Sequence, residues 1–121
     1  VAKILVVDDE ASLRELLHDF LKRAGHSADT AESGAEALTK LRSGRYDLVT
    51  LDLDMPMLGG VETLKLIRRD PKLAKLPVLM CTAHGMMGEI DEAFENGANG
   101  YIVKPFDSAA LEKTLAKTLK A

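Results

Sequence analysis

KILVVDDE, residues 3–10, decides how the rest of the chain is read. Four successive apolar residues, Ile4 to Val7, suit a strand buried on both faces, and the acidic pair Asp8-Asp9 follows directly. The same arrangement recurs downstream. Leu48–Leu51 ends at Asp52, Val78–Cys81 ends at Thr82, and Tyr101–Val103 ends at Lys104. A weaker strand candidate lies around Ala28–Thr30.

Between these runs the apolar period changes to that of helices. Leu13, Leu16, Leu17, Phe20, Leu21 and Ala24 fall at steps of three and four, and Gly25 is placed to stop that helix. Ala35, Leu38 and Leu41 follow Ser33, a candidate cap, and end at Gly44. Val61, Leu64 and Ile67 close at Asp70-Pro71, and Ile90, Ala93 and Phe94 close at Gly97. Leu111, Leu115 and Leu119 lie behind Asp107 or Ser108 as cap.

Five strand-then-helix repeats predict an α/β protein with a parallel sheet covered on both sides. Right-handed crossovers of this length favour an open five-stranded sheet of order 2-1-3-4-5. A length of 121 residues predicts one domain, residues 1–121. With 46% hydrophobic and 29% charged residues the chain reads as globular, and its net charge of -3 with no Lys/Arg block argues against direct nucleic-acid binding. No apolar run approaches the roughly 20 residues of a membrane span, so membrane insertion is not expected. The single cysteine, Cys81, rules out an intrachain disulfide framework and fits a reducing compartment, so a cytoplasmic location is expected.

In such a sheet, ligands bind where the strands end. That edge collects Asp8, Asp9, Asp52, Thr82 and Lys104. Taken singly, each has an ordinary role: the acidic pair as a turn or cap, Asp52 as a turn residue, Thr82 as a β-former, Lys104 as a solvated charge. Their coincidence at one edge is what makes a site. Crowded carboxylates repel, and a hard divalent cation resolves the conflict. Mg2+ suits Asp9 and Asp52, with Asp8 as a second ligand or the holder of a bound water. With the Lys104 ammonium and the Thr82 hydroxyl, the pocket is suited to neutralising a phosphoryl group.

The chain also resembles, over essentially its whole length, the receiver domain of two-component response regulators. The matching motifs are ILVVDDE (4–10), DLVTLDLDMPMLGG (47–60), MCTA (80–83) and GANGYIVKPF (97–106). The resemblance implies a flavodoxin-like (βα)5 three-layer sandwich with Asp52 as phosphoacceptor. Asp8 and Asp9 would hold Mg2+, and the Asp54 backbone carbonyl would complete the protein ligands. Thr82 and Lys104 would contact phosphoryl oxygens, Tyr101 would be the aromatic switch, and the Lys104–Pro105 bond would be cis. The implied partners are a histidine kinase or histidine phosphotransfer protein as donor, and an effector protein or domain that reads the face built from the fourth helix, fifth strand and fifth helix. The protein would then be a phosphoacceptor regulator, catalysing its own phosphorylation and dephosphorylation, and not a conventional enzyme.

Several residues carry secondary expectations. Gly59 and Gly60 are expected to supply unusual backbone angles and close approach after Pro56. Asp54 and His84, each two residues beyond a motif residue, are expected to tune the lifetime of the phosphoryl group. His18 and His26 share no ligand spacing, and Phe20, Phe94 and Phe106 are assigned to core or hinge packing. Two alternatives stand beside the main reading: a Mg-dependent phosphohydrolase of small esters, and a receiver-like interaction module that is never phosphorylated. A flavodoxin-like cofactor binder fits less well, because acids follow the first strand where a phosphate-cradling loop is expected.

Overall fold

A computed structural model describes residues 2–83 and 87–120. The elements run β1 (Lys3–Val7), α1 (Ala11–Arg23), β2 (Ser27–Ala31), α2 (Gly34–Ser43), β3 (Leu48–Asp52), α3 (Gly60–Arg69), β4 (Val78–Thr82), α4 (Met87–Glu95), β5 (Gly100–Val103) and α5 (Ser108–Lys120). The five strands form one parallel sheet of order β2-β1-β3-β4-β5, the expected flavodoxin-like arrangement.

Alternation along the strands builds two cores. Leu5, Val7, Val49, Leu51, Val78 and Met80 face α2 and α3, meeting Leu38, Leu41, Leu64 and Ile67. Ile4, Val6, Leu48, Leu79 and Cys81 face α1 and α5, meeting Leu17, Leu21, Leu111 and Leu115. β3 and β4 are buried throughout, which explains their unbroken apolar sequence, whereas edge strand β2 is largely polar.

The helix ends show which terminal signals act. Ser33 Oγ accepts from Glu36 N at 3.1 Å while Glu36 Oε1 reaches back to accept from Glu32 N at 2.7 Å, a reciprocal cap for α2. That backbone hydrogen bond, with help from Lys40, holds the Glu36 carboxyl below its usual value. Of the two candidates for α5, Asp107 is the cap, since its Oδ1 accepts from Ala110 N at 2.8 Å. Gly25 and Gly97 adopt φ of 91° and 99°, left-handed angles suited to glycine at the ends of α1 and α4.

Three side chains depart from their expected places. Ala35 is exposed and Ala37 takes its position in the core; Leu16 lies 43% exposed on α1; Phe94 is 43% exposed. In each case the buried stripe is narrower than the apolar pattern, because the sheet covers only one side of each helix.

Thr50 occupies the middle of β3, between Val6 and Leu79, and is 1% exposed. Its Oγ1 finds no hydrogen-bond partner among the described residues. Thr50→Val keeps the shape and removes an unsatisfied hydroxyl, so it is expected to stabilise the fold by about 1 kcal/mol, read from urea unfolding. A loss of stability would show that the hydroxyl is satisfied in solution.

Candidate functional site

Each site residue is delivered by the last bonds of the sheet. Asp8 N donates to Ala31 O at 3.1 Å, Leu53 N to Cys81 O at 2.8 Å, and Lys104 N to Thr82 O at 2.7 Å. These bonds carry the ladder just past the strand ends, so the chains separate only after Asp8, Asp52, Thr82 and Lys104 share one edge. The loop after β3 returns tightly. A Cβ on Gly60 would stand 2.5 Å from Asp52 O and 2.7 Å from Leu53 Cα, both backbone atoms, so glycine is needed there for close approach. Unusual angles are a different matter. Gly59 has φ of -70°, and the left-handed residue in this loop is the exposed Met57, with φ of 64°. The Lys104–Pro105 peptide is cis.

Asp8 and Asp52 are buried, at 1% and 4% exposure, while Asp9 is exposed. Lys104 Nζ lies 2.9 Å from Asp8 Oδ2 and 3.4 Å from Asp52 Oδ1. Asp8 Oδ1 accepts from Glu10 N at 2.9 Å, and Asp52 Oδ1 accepts from Asp54 N at 3.2 Å. Burial, and then the charge of Asp8, push the Asp52 carboxyl up to about 6, against the opposing pull of Asp54 N and Lys104. Burial alone would lower the Lys104 ammonium, but the Asp8 hydrogen bond and the charges of Asp52 and Asp8 together hold it above its usual value. Both partners therefore shift toward their protonated forms, because two buried carboxylates share one ammonium.

That shared deficit is the test of a metal. One carboxylate oxygen from each of Asp8, Asp9 and Asp52 lies within 4.8 Å of the others. Three carboxylates against one ammonium leave two negative charges uncompensated, and a hard divalent cation with oxygen ligands matches both the charge and the donor set. The residues fit Mg2+.

Thr82 is 1% exposed at the end of β4, Tyr101 is 43% exposed on β5, and Asp54 is exposed beside Asp52. His84 lies outside the described residues. His26 sits at the opposite end of β1, where its Nδ1 accepts from Ala2 N at 2.9 Å, and His18 lies on α1, 3.9 Å from Asp19. Cys81 is buried, which pushes its thiol up to about 12.

Sequence reasoning passed over Arg14. Its Nη1 donates to Asp8 O at 2.7 Å and its Nη2 lies 3.8 Å from Glu32, bracing the acidic loop against the one after β2. The available signal was a cation set within the apolar stripe of α1. Arg68 was also missed. It donates from Nε and Nη2 to Gly97 O at 3.0 and 2.7 Å, and from Nη1 to Leu73 O at 3.2 Å, fixing the turn between α4 and β5.

An acidic cluster and a lysine at the C-terminal edge of a 2-1-3-4-5 sheet define the response regulator receiver class. The family model described as "Response regulator receiver domain" matches residues 4–116, and the chain belongs to that family. Over 116 residues it is 43% identical to chemotaxis protein CheY-3 of Vibrio cholerae serotype O1, covering 95% of this chain and 89% of that protein. It is 40% identical over 117 residues to chemotaxis protein CheY of Pseudomonas aeruginosa, covering 95% and 94%. Among solved structures, the Vibrio cholerae chemotaxis protein CheY4 superposes with a TM-score of 0.94 at 36% identity, over 98% of both chains. The receiver domain of the Francisella response regulator 1452 does so at 0.89 and 27%, over 99% of this chain and 98% of that one. The protein is a phospho-accepting response regulator of two-component signalling.

Proposed function

We propose that Asp52 accepts the phosphoryl group from a phosphohistidine on a histidine kinase or histidine phosphotransfer protein. The observation that carries this reading is the carboxylate of Asp52, buried and short of positive charge beside Asp8, Asp9 and Lys104. An Asp52 oxygen attacks phosphorus, the P–N bond breaks, and the donor imidazole departs with its electron pair and takes up a proton. Mg2+ held by Asp8, Asp9, Asp52 and the Asp54 carbonyl would supply charge neutralisation at the phosphoryl oxygens. Lys104 neutralises a further phosphoryl oxygen, and Thr82 turns its hydroxyl to the new group. Phosphorylation replaces the singly charged Asp52 carboxylate by a phosphoryl group carrying a charge of about −1.5 to −2, which breaks the sharing of Lys104 with Asp8 and draws Thr82 and Tyr101 inward.

The effector then reads α4, β5 and α5, where Phe94, Tyr101 and Val103 are exposed around a groove of about 450 Å3 that Lys117 also lines. Among the described residues no helix is long and apolar enough to cross a membrane. This reading carries with it a cytoplasmic site of action, without direct nucleic-acid binding or membrane insertion. Asp54 at the mouth, and His84, tune access of water to the acyl phosphate.

Incubation with acetyl phosphate and Mg2+ followed by peptide mass mapping tests this reading. One phosphoryl group is expected on the peptide containing Asp52. Asp9→Asn is expected to weaken Mg2+ binding by about ten-fold or more and to slow labelling in parallel. Decay of purified phosphoprotein is expected to change several-fold in Asp54→Ala at unchanged Mg2+ affinity. Labelling elsewhere, or labelling indifferent to Mg2+, would overturn the assignment.

A further inference from the structure

Phe94 is a large apolar side chain that the core does not use. α4 turns Ile90 and Ala93 inward, whereas Phe94 is left 43% exposed. Its ring instead meets Tyr101, with centroids 6.1 Å apart and planes at 89°, an edge-to-face pair on the surface between α4 and β5. Tyr101 is itself 43% exposed, so the contact is made by an outward-pointing tyrosine ring.

The backbone beneath this pair is held firmly. Gly97 N donates to Phe94 O at 3.1 Å, and Ala98 N to Ala93 O at 3.0 Å, closing the end of α4. Arg68 grips Gly97 O from α3, and Asn99 Oδ1 accepts from both Arg68 Nη2 at 3.0 Å and Val78 N at 2.8 Å. Tyr101 in turn pairs with Met80 across β4 and β5. With both Cα positions anchored, the side-chain torsions of Phe94 and Tyr101 are the freedom that makes or breaks the ring contact.

We propose that Phe94 is a positioning residue for the switch: its ring holds Tyr101 outward in the unphosphorylated protein, and so sets how far a phosphoryl group must bias the equilibrium. This role rests on Tyr101 being the moving aromatic. A ligand shifts two states only by its preference between them, so a contact present in one state alone is set against phosphorylation in the same equilibrium. An exposed edge-to-face pair is of a size to change that equilibrium about two- to ten-fold.

The chain suits a direct measurement, since it has two tyrosines and no tryptophan. Tyr46 is an internal reference, hydrogen-bonded to Asp29 at 2.7 Å well away from the switch. Fluorotyrosine-labelled protein is titrated with beryllium fluoride in Mg2+, a phosphoryl mimic, for wild type, Phe94→Leu and Phe94→Tyr. In wild type the Tyr101 resonance should move while Tyr46 stays in place. In Phe94→Leu, which keeps apolar bulk but removes the ring, the Tyr101 resonance should start part-way toward its mimic-bound position, and the mimic should bind about two- to ten-fold more tightly. Phe94→Tyr, which retains a ring, should restore both values. If wild-type Tyr101 responds but Phe94→Leu changes neither its position nor the affinity, Phe94 has no positioning role. If wild-type Tyr101 ignores the mimic, the switch reading itself falls and this role with it.

Discussion

Asp52→Asn is expected to eliminate acyl-phosphate formation and, without divalent cations, to make the folded protein more stable at pH 7.5. The first effect follows from loss of the attacking carboxylate. The second follows from the raised Asp52 carboxyl, which burial and Asp8 push from 3.8 to about 6. The folded state then holds a proton that the unfolded state releases, so stability falls as pH rises from about 4 through about 6, and the cost is fully present above that window. At about 1.4 kcal/mol per pH unit, the cost of ionised Asp52 reaches about 3 kcal/mol. The asparagine never ionises, so its advantage should be about 1–3 kcal/mol at pH 7.5 and should vanish near pH 4. Urea unfolding in EDTA at the two pH values measures it, and added Mg2+ should narrow the gap by stabilising wild type more than the variant. A pH-independent difference would show that ionisation of Asp52 is not its source.

Lys104→Met should have the opposite sign. The substitution leaves Asp8 and Asp52, both nearly inaccessible, facing each other without the ammonium 2.9 and 3.4 Å away. Breaking a buried pair by removing one partner costs about 3–5 kcal/mol, because the remaining charge is buried and uncompensated. Here a proton can partly replace the lost cation, since Asp52 is already raised and loss of Lys104 raises it further. The destabilisation should therefore be largest at pH 7.5, smaller near pH 5, and substantially reversed by Mg2+. Unfolding curves at both pH values, with and without Mg2+, decide it. An equal loss under all conditions would assign Lys104 a packing role, with its stem as the contributing part.

The elements were legible because their signals are local. Successive apolar residues marked β1, β3 and β4, and the residue after each strong strand was a site residue, since a parallel sheet aligns its strand ends. Ser33 and Gly97 marked helix ends through groups within a few residues of themselves. Phe94 and Leu16 were misplaced because helical period reports which residues lie together on one side of a helix, not how much of that side the neighbouring elements cover. The loop glycines were half understood: the close approach expected of them is made at Gly60, whereas the left-handed angle in this loop is carried by Met57.

The sequence by itself determined the order of elements, the sheet topology and the residue types gathered at its C-terminal edge, because hydrophobic period and strand ends are written within each segment. Only the tertiary structure decided that Lys104 is shared between Asp8, 96 positions away, and Asp52, that Arg14 braces the acidic loop, and that Phe94 meets Tyr101 edge-on. The raised Asp52 carboxyl belongs with these. Its causes are burial and the charge of Asp8 on another strand, and neither exists until distant segments pack and exclude water from between them.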